Sequence, residues 1–264
     1  MLFFEPTKEE QEKVFNVFNK YKRERPKPDR NLDQFYATEE TVLKRAVLLG
    51  HLPDISQKKL LFLGDDDLTS VAFALLFKAE EIMVVDIDKR ILEFINMISQ
   101  KENLPIKTFE HDLRNPLPKS EFKRYEIAFF DPPYTPEAIN TWLIRAIEST
   151  ITAGPDYKKK KPEILSRKKY FMCYGYTDRE TERGLKIQKI ITLLGLIIQE
   201  KIRDFNHYHG AETIGNKSDL YVLQPTPKVN IRKIDIARSQ FYTGGKFIHE
   251  EKKIISYKAE ENFS

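Results

Sequence analysis

The chain has 264 residues, 41% of them hydrophobic and 32% charged, with 44 basic against 40 acidic side chains and a net charge of +4. That length suits one large α/β domain or a domain with an appendage, and no apolar run approaches the ~18 residues of a bilayer span. The N-terminus MLFFEPTKEEQEK turns acidic too early for a secretory signal, and the lone Cys173 excludes an intrachain disulfide or a cysteine metal cluster.

A cytoplasmic location is the resulting expectation, with no membrane partner and no metal. Abundant Lys and Glu with few Cys and Met lean toward a thermophile. The small positive charge says little about nucleic acid, because a mixed-charge solvated surface gives the same balance.

In chain order, residues 8–25 predict a charged helix with Val14, Phe15, Val17 and Phe18 on one side, ended by Pro26 and Pro28. A second helix is predicted from Thr38 as N-cap to Gly50, with Glu39 and Glu40 in its first turn. Residues 1–50 therefore read as a short helical N-terminal lead-in. Strand 60–63 then precedes a helix near 68–78, and strand 82–86 precedes a helix over 88–100. A short strand near 107–110 ends at His111 and Asp112, and strand 126–130 leads through Asp131 into helix 136–150. The polar stretch 155–169 reads as a solvated loop, whose Lys run offers only a weak phosphate site. Strand 170–174, helix 183–197 and strands 197–203 and 219–224 complete a domain over 51–225. In the extension 226–264, GGKF with Phe241, Tyr242 and Phe247 suggests a hairpin or a lid. Apolar strands alternating with amphipathic helices predict an α/β fold with a doubly wound, mostly parallel sheet.

Ligands of such sheets bind at the carboxyl ends of the strands, and the acids gather there. Asp65, Asp66 and Asp67 follow the first strand, Asp86 and Asp88 the second, Asp112 the third and Asp131 the fourth. Asp86 stands 22 positions after Gly64, the offset of an acid that accepts from a ribose diol. Asp88 is the better N-cap candidate of the two. Asp112 fits an adenine amino group or the turn before Pro116, and His111 reads as structural. DPPYT at 131–135 fixes backbone angles through its two prolines, so the Asp131 carboxylate and the Pro132 carbonyl are held rigidly in the cleft. Tyr134 offers a flat face for a base or an aliphatic amine.

GDDD replaces the usual glycine-rich turn with like charges. In a sheet binding S-adenosylmethionine this turn faces the amino-acid end of the cofactor, and acids repel its carboxylate by roughly 4 kcal/mol at 4 Å and an effective ε of 20. An ammonium is attracted instead, so the turn favours a decarboxylated cofactor, a cationic second substrate, or both. Crowded carboxylates also raise one pKa, which suits a base for an ammonium. The alternative is helix capping by Asp66 or Asp67 with the other acids solvated.

GDDDLTS at 64–70, VVDID at 84–88, DLRNPLP at 112–118, DPP at 131–133 and IRDFNHY at 202–208 resemble the branched-chain polyamine synthases, the N4-bis(aminopropyl)spermidine synthases, from about residue 31 to 225. The resemblance implies a Rossmann-like, class I methyltransferase-type sheet with an antiparallel last strand. It implies an aminopropyltransferase that moves aminopropyl groups from decarboxylated S-adenosylmethionine, its co-substrate, to an internal amine of spermidine, releasing methylthioadenosine. Asp66 is then the first candidate for the base, with Asp67 or Asp131 as the others. Asp65 and Asp67 would bind ammonium groups, Asp86 the ribose and Asp112 the adenine end, with Gly64 and Pro132 lining the cofactor site. Asn206 and Tyr208 would line a polyamine channel with Tyr134. The chain ahead of Gly64 is shorter than the winged-helix-like N-terminal domain of that family, and Tyr134 stands where an acid is frequent. A homodimer is left open.

DPPY is also the signature of S-adenosylmethionine-dependent N-methyltransferases acting on adenine, for which nucleic acid would be the partner. A polyamine- or nucleoside-binding regulator without turnover is the non-enzymatic alternative.

Overall fold

The computed structural model describes residues 5–151, 162–212, 215–231 and 241–243. One sheet holds seven strands in the order β3-β2-β1-β4-β5-β7-β6. They are β1 (Lys59–Leu63), β2 (Glu81–Asp86), β3 (Ile106–Glu110), β4 (Ile127–Phe130), β5 (Lys169–Tyr174), β6 (Leu196–His207) and β7 (Lys217–Pro225). The first five run parallel, while β7 is antiparallel to both β5 and β6. The expected Rossmann-like α/β sheet with an antiparallel last strand is thus present.

Strand alternation divides the core into two layers. Leu60 and Phe62 of β1 face one apolar cluster, and Leu61 and Leu63 face the other. The first layer is covered by α1 (Lys8–Tyr21), α2 (Glu39–Gly50), α3 (Thr69–Leu76) and α4 (Lys89–Glu102). The second is covered by α5 (Pro136–Thr150), the short α6 (Pro162–Leu165) and α7 (Thr181–Leu193). Val14, Phe18, Val42 and Val47 of the lead-in belong to the first layer, each such side chain contributing about 1.5–3 kcal/mol on burial. The Thr38 N–H also donates to the His207 carbonyl at 2.8 Å, and Ala37 bridges Tyr208. The lead-in is therefore packed into the sheet domain and joined to its far edge.

Local capping follows the sequence at two helices. Thr38 caps α2 by accepting from the Thr41 N–H, and Asp88 caps α4 by accepting from the Arg90 N–H. Other boundaries differ. Helix α7 stops at Leu193 because Gly195, at φ +73°, turns the chain into β6. Strand β6 runs on to His207, absorbing two register irregularities, Ile198/Glu200 and Ile202/Asn206. In the stretch 155–169, residues 155–161 with the Lys run lie outside the described residues, and α6 forms part of the remainder. Most of the extension 226–264, including GGKF and Phe247, also lies outside them. No helix among the described residues is long and apolar enough to cross a membrane.

Candidate active site

Strand order reverses between β1 and β4, and a cavity opens at the carboxyl ends of the strands beside that point. Gly64 and Asp66 border it after β1, Asp86 and Ile87 at β2, and His111, Asp112 and Leu113 after β3. Asp131 and Pro133 follow β4, Trp142 comes from α5, and Asp33, Gln34 and Tyr242 close the rim. Among the described residues that line it, five are aspartates and none is Lys or Arg. The strand-end acids therefore converge.

The three aspartates of GDDD have separate tasks. Asp65 accepts the Thr69 N–H on Oδ1 at 2.8 Å and the Ser70 N–H on Oδ2 at 3.0 Å, so it caps α3. Capping by Asp66 or Asp67 does not occur, because Leu68 occupies the N-cap position in the left-handed region (φ 67°) and makes no side-chain cap. Asp67 is buried with both oxygens engaged, Oδ1 by the Ala37 N–H and Oδ2 by Arg45 Nη1, each at 2.6 Å. Among the described residues no hydrogen bond reaches the Asp66 carboxylate, and it borders the cavity. Burial, followed by the charges of Asp67, Asp86 and Asp131, holds the Asp66 carboxyl well above the usual carboxylate range, with Arg25 opposing. Gly64, at φ +76°, is the one residue type that takes this turn without strain; it borders the cavity, and nothing lies within 4 Å of where a Cβ would stand.

Asp86 is tied to the backbone rather than to a cation. Its Oδ2 accepts the Asp65 N–H at 3.1 Å and its Oδ1 the Asp88 N–H at 2.8 Å, while burial pushes its carboxyl up to about 6. Each oxygen keeps a lone pair for a diol. Asp112 borders the cavity, but Arg114 Nε and Nη2 hold its carboxylate, and its carbonyl accepts the Asn115 N–H at 2.9 Å. Burial works to raise its pKa, and the Arg114 hydrogen bonds outweigh it and hold the carboxyl below the usual range. It serves the turn before Pro116 and presents its side to the cavity as well. His111, read as structural, also borders the cavity.

Residues behind Asp131 form a buried network that the sequence did not suggest. Arg45, fully buried on α2, gives Nη2 to Asp131 Oδ2 at 2.6 Å and Nε to Asn206 Oδ1 at 2.8 Å, besides its bond to Asp67. The Tyr208 hydroxyl donates to Asp131 Oδ2 at 2.7 Å, and the Tyr134 hydroxyl to Asp131 Oδ1 at 3.1 Å. Burial raises the Asp131 carboxyl, opposed by Arg45. Tyr134 is not among the residues bordering the cavity: its ring packs against Tyr174 at a centroid distance of 5.1 Å and its hydroxyl donates to Asp131. Tyr208 bonds Asp131 directly and Asn206 reaches it only through Arg45, and among the described residues Pro133 rather than Pro132 borders the cavity. Arg45 carried a readable signal, since it falls among Val42, Leu43, Ala46 and Leu49 on the apolar face of a helix.

A second cavity, of about 330 Å³, lies across the Asp66 turn, whose carbonyl accepts from Arg25 Nη2 at 2.7 Å. Lys22, Arg25 and Lys27 at its border make it a poor host for an ammonium. Among the described residues no group of three His, Cys, Asp or Glu side chains is placed to hold a metal ion.

Sheet order and cavity placement define a Rossmann-like, methyltransferase-type α/β protein. Residues 13–261 match the family described as the branched-chain polyamine synthase A C-terminal domain, and the chain belongs to that family. An uncharacterized protein of Methanocaldococcus jannaschii is 39% identical over 234 residues, 88% of this chain and 55% of the relative. The N(4)-bis(aminopropyl)spermidine synthase of Thermococcus kodakarensis is 33% identical over 251 residues, 90% of this chain and 65% of that enzyme. The chain thus spans about half to two thirds of the length of these curated relatives. The branched-chain polyamine synthase of Thermus thermophilus, solved with N4-aminopropylspermidine and 5'-methylthioadenosine, matches with a TM-score of 0.67 at 23% identity, over 89% of this chain and 69% of that one. A proposed RNA methyltransferase of Pyrococcus horikoshii matches with a TM-score of 0.60 at 17% identity, over 83% of this chain and all of that one. At these identities the structural likeness shows a shared fold.

Proposed function

We propose that this chain is an aminopropyltransferase that uses decarboxylated S-adenosylmethionine and adds its aminopropyl group to an internal amine of a polyamine such as spermidine. The observation that carries this reading is the cavity border: among the described residues it holds five aspartates and no Lys or Arg. A donor that ends in an ammonium is welcome there, and one that ends in a carboxylate meets repulsion. Membership of the polyamine synthase family and the product and nucleoside named for the Thermus thermophilus relative support the same assignment.

In the proposed reaction Asp86 accepts from the ribose, and His111, Asp112 and Leu113 border the adenine end. The acceptor amine attacks the aminopropyl carbon beside the sulfonium. A C–N bond forms, the C–S bond breaks, and its electron pair returns to sulfur as neutral methylthioadenosine leaves. Asp66 takes the proton of the attacking nitrogen, a role that suits its raised pKa and its lack of a hydrogen-bond partner among the described residues. Asp131, held by Arg45, Tyr208 and Tyr134, orients the acceptor.

The test is calorimetry with both donors, followed by mass spectrometry after incubation with spermidine. Tighter binding of the decarboxylated donor and a mass gain of aminopropyl units are expected. Tighter binding of the carboxylated donor would overturn the assignment in favour of methyl transfer, and binding without product would indicate a regulator.

A further inference from the structure

Arg45 calls for an explanation beyond stability. It lies on the buried face of α2 beside Val42, Ala46 and Leu49, and burying a guanidinium there carries a desolvation cost that an apolar side chain avoids. Its donors are spread over three chain segments: Asp67 after β1, Asp131 after β4, and Asn206 in β6. Two of those partners are the acids closest in role to Asp66.

We propose that Arg45 is a positioning residue of the transfer reaction: by pairing with Asp67 and Asp131 it offsets part of their joint negative charge, fixes both, and leaves Asp66 as the acid that receives the amine's proton. The inference rests on the aminopropyl-transfer reading. Without the guanidinium, Asp66 would share its surroundings with two uncompensated carboxylates, and a proton or an ammonium would be divided among them. With it, Asp67 and Asp131 have fixed partners and fixed orientation. The remaining groups around Asp66 are Asp86 from β2, with Arg25 and Tyr36 from the segment after α1. Asp33, His111, Asp112 and Tyr242 stand around the same cavity, and Arg114 pairs with Asp112.

A three-variant set tests this: Arg45→Gln, Asp67→Asn, and both together. The readouts are the pH profile of methylthioadenosine release and the pH profile of decarboxylated-donor binding, with a melting curve for each variant. Removing the cation should move the acid limb of both profiles up by about one pH unit and lower kcat by roughly 30-fold or more. Asp67→Asn should move the limb down, and the double variant should fall between the two. A purely structural Arg45 predicts lower melting temperatures with superimposable limbs, and that result overturns the proposal. Should Arg45→Gln fail to fold, the comparison of Asp67→Asn with the double variant carries the same difference. Wild-type protein that binds the donor without turnover defeats the reaction while the binding limbs still decide the role of Arg45. Wild type that binds no decarboxylated donor defeats both.

Discussion

The backbone N–H of Asp65 donates to Asp86 Oδ2 at 3.1 Å, so the acid at the end of β2 holds the turn that follows β1. The same carboxylate borders the cavity, which couples the shape of the turn to nucleoside binding. Asp86→Ala is expected to weaken methylthioadenosine binding by roughly 10–100-fold, the range of hydrogen bonds to a charged group. Asp86→Asn should lose less, since an amide oxygen still accepts. Calorimetry with methylthioadenosine measures both, and unchanged affinity removes Asp86 from the ribose.

Asp66→Asn separates catalysis from binding. The amide keeps the volume of the side chain but takes no proton. Turnover is expected to fall by roughly 10²–10⁴-fold while donor affinity changes only a few-fold. The rate of methylthioadenosine release and a donor titration give the two numbers. An equal loss in both makes Asp66 a binding group, and intact turnover moves the base to Asp131.

What was legible in the sequence was local. Thr38 and Asp88 cap their helices through side chains that reach two or three residues ahead, and the continuous apolar strands declare themselves within four to six residues. The convergence of strand-end acids was equally readable, because the doubly wound topology brings successive strand ends to one edge. The division of labour within GDDD was not. It depends on Leu68 adopting a left-handed backbone and on Arg45, 22 residues upstream, claiming Asp67. The hydrogen bonds of Tyr134 and Tyr208 to Asp131, and of Asn206 to Arg45, were not legible either, since the packing of β6 and β7 against β5 sets which side chains meet there.

The buried acids also predict a pH dependence of stability. Burial pushes Asp65 up to about 7 and Asp86 up to about 6, and Asp66 lies above its usual range for the same reason. Unfolded aspartates titrate near ~3.9, so between about pH 4 and 7 the folded chain binds more protons than the unfolded one. Stability therefore falls as pH rises through that window. Asp88 and Asp112, whose burial is outweighed by Arg90 and Arg114, are held below the usual range and act in the opposite sense at more acidic pH. Melting curves should peak near pH 4–5 and decline toward pH 8, and Asp66→Asn should flatten the decline. A melting temperature that rises from pH 5 to pH 8 contradicts this account.

Trp142 is the sole tryptophan of the chain, and it supplies a direct reporter of the cavity. It borders the cavity, its indole Nε1 donates to the Leu63 carbonyl at 3.0 Å, and its ring lies 5.5 Å from that of Phe241. A nucleoside entering the cavity changes the polarity around the indole, so methylthioadenosine should shift or quench its emission in a saturable way. Trp142→Phe removes the signal and leaves the Leu63 carbonyl without its donor, at an expected cost of about 1–3 kcal/mol. The two effects are separable: emission reports occupancy, the melting curve reports the lost hydrogen bond, and calorimetry on the variant should still detect binding within about tenfold of wild type. Saturable heat with unchanged emission in the wild type would place the nucleoside away from Trp142, and with it away from Asp66 and Asp86.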